Sequence, residues 1–289
     1  MWLGQDLLLK VPHRQVVFTT LKIIRPFFKY NRALLGDLCL SAVRAVTHYM
    51  KARGERDLMP GVVAVIQTFG NRLNFHPRLH MLVTEGGRTH DGSFQPVPIF
   101  NDTALARIFA HEVLALLVSK DLISPQVREK ILSWRHTGFS VHSKVRATTT
   151  EDARRVARYM AKPILALKRL SFDEEEGKVI YQCGDRDTDR VEMDYLDFIA
   201  RVTAHIPDKG QVMIRYYGLY SNAHSSHLSC LRSRDEANSL HHQLCRHRQD
   251  HPSPGNHLHR QEASAGSPAR GTILIQHNPR PLTGITMPE

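Results

Sequence analysis

Residues 74–83 read NFHPRLHMLV, and His76, Arg78 and His80 recur there at every second position. In a strand, residues two apart share a face, so these three side chains project together. Leu79, Met81 and Val83 then form an apolar opposite face. Two imidazoles on one sheet face can ligate a divalent metal. A metal there would polarise a phosphodiester and stabilise charge on its oxygens. The plainer alternative is that His76 and His80 are ordinary surface or interface histidines.

A second chemical group lies in residues 151–162, EDARRVARYMAK. On a helix, Arg155 at i−4 and Lys162 at i+3 lie beside Tyr159, with Arg154 and Arg158 nearby. Cations favour a phenolate and hold a scissile phosphate. A tyrosine so placed is a plausible nucleophile for a phosphotyrosine intermediate. The alternative is a half-buried core tyrosine on an amphipathic helix whose basic face is merely solvated. Gln67 and His142 are weaker candidates to complete a metal site, His142 only if its strand adjoins the histidine strand. Acidic residues are scattered and form no obvious trio, so a carboxylate-metal site is not indicated.

The elements that must position these groups follow from periodicity. Residues 16–20 (VVFTT) read as a strand, and residues 21–53 carry helical spacing, with Leu34, Leu35, Leu38, Ala42 and Val46 on one face. Residues 61–68 and 73–84 read as an antiparallel hairpin turned by Gly70-Asn71 and closed by Glu85-Gly86-Gly87. Residues 101–119, capped by Asn101 or Asp102, and 125–135 read as helices. Residues 139–147 (FSVHSKVRA) alternate like a strand. Thr148 to Glu151 matches a capping box that opens the tyrosine helix, which Pro163 stops or kinks. Short strands are expected at 179–182, 191–193 and 211–217, and a helix at 195–203.

Composition narrows the partners. The 289 residues carry 39 Lys+Arg against 28 Asp+Glu, a net charge of +11 that suits a polyanion, either nucleic acid or a membrane surface. No signal peptide and no uncharged apolar run of about 18 residues is visible, so no membrane span is expected. The four cysteines are far apart and form no CxxC pair, which argues against a zinc ribbon or a disulfide framework and fits a reducing, bacterial-type cytoplasm. From residue 221 onward His, Ser, Arg, Pro and Gly dominate, and a disordered tail over 221–289 is expected.

Six blocks, in order, resemble rolling-circle, HUH-type transposases of bacterial insertion sequences, particularly the group carried by common-region elements. They are VPHRQVVFTT (11–20), YNRALLGDL (30–38), IQTFGNRLNFHPRLHMLVTEGG (66–87), GFSVHSKVRA (138–147), ARYMAKPIL (157–165) and VMIRYYGLYSNAH (212–224). The resemblance implies an α+β fold, a central antiparallel sheet flanked by helices as in HUH endonucleases. It divides the chain into an N-terminal strand and helical segment (1–60), a catalytic domain (61–220) and the tail (221–289). It implies a divalent metal, Mg²⁺ or Mn²⁺, held by two histidines of a His-hydrophobic-His strand motif, here His80 with His76 as substitute for the other, to which Gln67 would be a weak third ligand. It implies Tyr159 as the nucleophile that joins a 5′ phosphate and releases a 3′ hydroxyl. Arg78, Arg154, Arg155, Arg158 and Lys162 would grip DNA, especially single-stranded element ends, in a cytoplasmic, nucleoid-associated setting.

The sequence departs from that pattern in specific places. Arg78-Leu79-His80 stands where the family has His-hydrophobic-His. A guanidinium there would hold a phosphate while repelling a cation. Tyr159 has no tyrosine four residues away on either side, only Arg155 and Pro163. Ten residues, MWLGQDLLLK, precede the first block where the family carries a cysteine-rich zinc segment, so an N-terminal truncation is expected. Two readings follow: an active nickase and strand transferase, or a non-catalytic DNA-binding remnant of one.

Overall fold

The computed structural model describes residues 8–54, 57–97, 100–186 and 188–221. The tail expected after residue 221 lies outside the described residues.

The chain begins with β1 (His13–Thr19), a 3-10 turn at Lys22–Ile24, and two helices, α1 (Arg25–Tyr30) and α2 (Leu34–Arg53). The long hairpin β2 (Met59–Phe69) and β3 (Phe75–Arg88) follows, then β4 (Phe94–Pro96), α3 (Asp102–Ser119) and α4 (Pro125–Leu132). Short strands β5 (Ser140–His142) and β6 (Arg146–Ala147) lead into α5 (Thr150–Met160). Strands β7 (Leu170–Asp173), β8 (Lys178–Gln182) and β9 (Arg190–Asp194) form a small separate sheet beside α6 (Tyr195–Thr203). Finally β10 (Ile214–Gly218) returns to the main sheet.

The main sheet runs β10-β2-β3-β1-β5, antiparallel at each step, with β4 added to β3 and β6 to β1. The architecture is α+β with a central antiparallel sheet flanked by helices. One face is apolar because Val16, Phe18, Val62, Ala64, Ile66, Leu79, Met81, Val83 and Val141 alternate onto it. It packs beneath α2 and α3 through residues such as Leu35, Leu38, Val46, Phe109 and Leu114, all fully buried. The other face is split: Val63, Val65 and Leu82 pack against α5, and Gln15, Gln67, Arg78 and His80 lie on the rest of it beside Val17.

Several expectations shift. The single helix read over 21–53 is broken. Pro26, at the first turn of α1, starts a new helix because its missing N–H is not needed there, and Asn31 is extended (φ −124°) and ends it. Glu85-Gly86-Gly87 does not close β3 but lies within it. A Cβ on Gly86 would sit 2.2 Å from the Gln95 carbonyl oxygen, so the glycine admits β4 where the sequence suggests a turn. The strand read over 139–147 is interrupted at 143–145, where Arg14 donates to the Ser143 carbonyl (2.8 Å) and Gln15 N–H to Val145 (2.9 Å). The capping box forms one residue later than expected, between Thr149 and Asp152. Strands β4 and β7 carry no sequence signal strong enough to be read. No helix of the described residues is long and apolar enough to cross a membrane.

Candidate active site

Sheet register decides which side chains can meet, since residues facing each other across an antiparallel pair lie on one face. His80 faces Val17 on one side and Val65 on the other, and Val17 in turn faces His142. In the adjacent row, Arg78 lies between Thr19 and Gln67, and Thr19 faces Ser140. His76, Arg78 and His80 therefore share the polar face, as their spacing predicts. His142 does not adjoin the histidine strand. β1 lies between them, and two strand spacings of about 4.8 Å separate His142 from His80.

The hairpin that carries this face is pinned at its tip. His205 accepts from Thr68 Oγ1 at 3.1 Å, donates to the Leu73 carbonyl at 3.1 Å, and stacks on Phe75. Burial of His205, first, pushes its pKa down, so the ring is held as a neutral bridge. The loop is also closed by Gly70 N–H to the Asn74 carbonyl.

The helix α5 lays Ala153, Val156, Ala157 and Met160 against this face, the i, i+3, i+4, i+7 stripe of an amphipathic helix. Its start is fixed by the capping box: Thr149 Oγ1 accepts from Asp152 N–H (3.1 Å), and the Asp152 carboxylate accepts from Thr149 N–H (3.3 Å). Tyr159 sits at the edge of the buried stripe and is 62% exposed, so it is not a core residue. Its ring stands edge-on to the His80 imidazole, centroids 6.5 Å apart at 70°. The sequence could not show this meeting; the fold brings the two together from 79 positions apart (159 − 80).

The arginines of α5 are engaged locally. Arg158 and Arg154 both reach Glu151 (2.9 and 3.5 Å), and Arg155 reaches Asp152 (3.7 Å). These are exposed pairs of the weak kind, readily exchanged for other anions. Lys162 is exposed just beyond the helix end.

The histidines are unusual in their protonation. Burial, with a smaller repulsion from Arg78, pushes His80 down to about 4. Both its ring nitrogens are buried with no hydrogen-bond partner among the described residues. His76 is also pushed down to about 4, by burial first, then by Arg25 and Arg78. Both rings are neutral at physiological pH. Arg78 donates to His76 Nδ1 at 3.3 Å, which leaves the proton of that neutral ring on Nε2.

These residues do not fit the two-histidine metal clamp that the resemblance implies. His76 and His80 are four residues apart on one strand, about 13 Å between Cα atoms, and the Arg78 guanidinium stands between them. Metal–imidazole bonds of about 2.0–2.1 Å require the two rings to converge. Gln67 faces Arg78, not His80. Among the described residues no group of three His, Cys, Asp or Glu side chains converges on a metal position.

Two residues join the site that sequence reasoning missed. Gln15, 6% exposed, lies on the polar face two residues from Val17, and its Nε2 has no partner among the described residues. Its alternation with Val17 was visible, but its neighbours depend on pairing with a strand over sixty residues away, His80 being 65 positions on (80 − 15). Arg25, the second, leans into the site from α1 and donates twice to the Thr20 carbonyl, at 3.3 and 3.1 Å.

The assembly of a polar sheet face, a covering helix and an exposed tyrosine over a histidine can be compared with known sequences. Residues 61–227 match the family described as "Putative transposase". The chain belongs to this transposase family. It is 30% identical over 228 residues to the transposase for insertion sequence element IS801 of Pseudomonas savastanoi pv. phaseolicola, covering 73% of this chain and 55% of that one. It is 29% identical over 245 residues to the "Putative transposase y4qJ" of Sinorhizobium fredii (strain NBRC 101917 / NGR234), covering 74% and 60%. The chain thus spans little more than half the length of these two relatives. No solved structure gives a significant match.

Proposed function

We propose that this transposase family member binds single-stranded DNA across the polar sheet face and cuts it through Tyr159. The observation that carries the reading is the exposed Tyr159 ring set edge-on to the unpartnered His80 imidazole. In the step, the Tyr159 oxygen attacks phosphorus, a P–O tyrosyl bond forms, and the P–O3′ bond breaks. The released 3′ oxygen takes up a proton, and the 5′ phosphate stays on the protein. Attack by a 3′ hydroxyl reverses the process and rejoins strands, the succession that rolling-circle transposition requires. Neutral His80, with one ring nitrogen free to accept, orients the phenol proton as the ring turns toward it. The net charge of +11 supports a polyanionic partner.

The test is a single-stranded oligonucleotide bearing the end of the host element, labelled at both termini and incubated with the full chain. A protein-linked DNA band that disappears in Tyr159→Phe is expected. No band under conditions where the oligonucleotide binds would sink the nickase reading.

That outcome would favour the second reading, a non-catalytic DNA-binding relic. The observation on its side is Arg78, whose guanidinium separates His76 from His80.

A further inference from the structure

We infer that Arg25, Arg78 and His76 form a phosphodiester-binding site that works without a divalent cation. The inference rests on the DNA-cutting reading for its substrate but not for its chemistry.

Three donors converge, and none has an acid. Several arginines of the fold meet carboxylates, among them Arg14 and Arg146 on Glu85, Arg154 and Arg158 on Glu151, and Arg201 on Asp197. Neither Arg25 nor Arg78 has an ion pair among the described residues. His76 Nε2 is buried and carries a proton that no described residue accepts, because Arg78 holds Nδ1. Like charges set side by side are unfavourable, and burial with repulsion from Arg78 lowers the pKa of Arg25. An anion between the two guanidiniums would reverse the sign of that interaction.

The geometry is built rather than incidental. Arg25 gives both Nε and one terminal nitrogen to the Thr20 carbonyl, which fixes the plane of its guanidinium. Thr20, 1% exposed, donates through Oγ1 to the Pro77 carbonyl at 3.3 Å, between His76 and Arg78 in sequence. The two guanidiniums are therefore tied to one short stretch of β3. Planar guanidinium forks match the paired non-bridging oxygens of a phosphodiester, which a point cation does not. Arg78 is two residues from His80 on the same face, about 7 Å along the strand, so a phosphate held there lies close to the Tyr159 ring. The guanidinium pair thus takes the position and the electrostatic role that a metal would otherwise fill.

The experiment uses the full chain and a fluorescein-labelled single-stranded oligonucleotide, with anisotropy read in EDTA and in Mn²⁺. Equal affinity in both is expected. Arg78→Gln and Arg25→Gln should each weaken binding about tenfold, with Arg78→Lys intermediate because it keeps charge but loses the fork. Circular dichroism confirms that each variant is folded. An oligonucleotide of the same sequence with neutral methylphosphonate links should compete poorly, and inorganic phosphate only at far higher concentration, which separates strand binding from capture of a free anion. Wild-type affinity in both Gln variants, or binding that needs Mn²⁺, overturns the inference. A second readout is Mn²⁺ uptake by electron paramagnetic resonance, with His80→Ala as the baseline for histidines elsewhere in the chain. Wild type should match that baseline, and Arg78→His should exceed it. Uptake in wild type that His80→Ala removes would overturn the inference. Failure of the covalent band with intact Arg-dependent binding would sink the cutting reading alone.

Discussion

The phenol ring of Tyr159 and the imidazole of His80 meet edge to face, 6.5 Å between centroids, although one is 62% exposed and the other 7%. The exposed partner is free to swing toward a substrate, and the buried one is not. His80→Ala should therefore leave oligonucleotide affinity within about twofold and slow formation of the protein–DNA adduct about a hundredfold, the scale of a lost proton-handling group. Single-turnover kinetics beside equilibrium binding separate the two effects. A fall in affinity with an unchanged adduct rate would remove His80 from the chemistry.

Acid should weaken the fold through its buried histidines. Burial, the largest cause in each case, pushes His13 and His80 down to about 4, whereas an unfolded histidine takes its proton near pH 6.5. Between those values the unfolded chain binds more protons, so stability falls as pH drops from about 6.5 toward about 4. Each residue should contribute a loss on the order of 2 kcal/mol by pH 5. Urea unfolding midpoints at pH 7 and pH 5 measure it, and His80→Gln should show a shallower drop than wild type. Midpoints that coincide would contradict the burial argument.

Glu151 occupies two arginines on the exposed side of α5. If that side meets phosphates, Glu151→Gln should raise affinity for single-stranded DNA several-fold and steepen its salt dependence, since Arg158 is released to displace counterions. Stability should change by less than about 1 kcal/mol, as expected for exposed pairs. Unaltered binding across a salt titration would place the DNA path away from this face of the helix.

Tyr220 is fully buried, its hydroxyl bonded to His13 Nε2 and its ring packed on Gly61. Burial drives its own pKa upward, so it remains a neutral partner. Tyr220→Phe strands a buried imidazole nitrogen and should cost about 1–3 kcal/mol. Gly61→Ala would bring a methyl carbon to 2.7 Å from the ring and should also destabilise. Thermal melts of both variants provide the check, and a Tyr220→Phe melt equal to wild type would show the bond to be dispensable.

Local patterns in the sequence revealed the parts of this fold that depend on local patterns. The β2–β3 hairpin was legible from two apolar runs and a Gly-Asn turn. The tyrosine helix was legible from a capping signature whose neighbouring threonines allowed a one-residue slip. The shared face of His76, Arg78 and His80 followed from a period of two. Arg25 was not legible, because its place beside Arg78 depends on a helix break at Pro26 and on the Thr20 carbonyl. The glycines at 86 and 87 misled for a physical reason: a residue without a Cβ serves a tight turn and a crowded strand equally well. The separation of the two histidines followed from their spacing alone, while the hydrogen bond that makes Arg78 their divider required the folded hairpin.

The late return of β10 has a genetic consequence. β10 pairs with β2 along Gly61–Val65, and Tyr220, just beyond it, reaches back to His13 near the start of the sheet. The edge of the central hairpin is therefore bare until the ribosome has passed that point. A stop codon or frameshift between the codons for Lys162 and Ile214 leaves His76, Arg78, His80 and Tyr159 encoded, yet it removes the strand that pairs with the outer edge of β2. Such an allele would read as intact by its motifs and behave as a null. Mutations that spare the site while truncating the gene there should fall in the same complementation class as loss of Tyr159 itself.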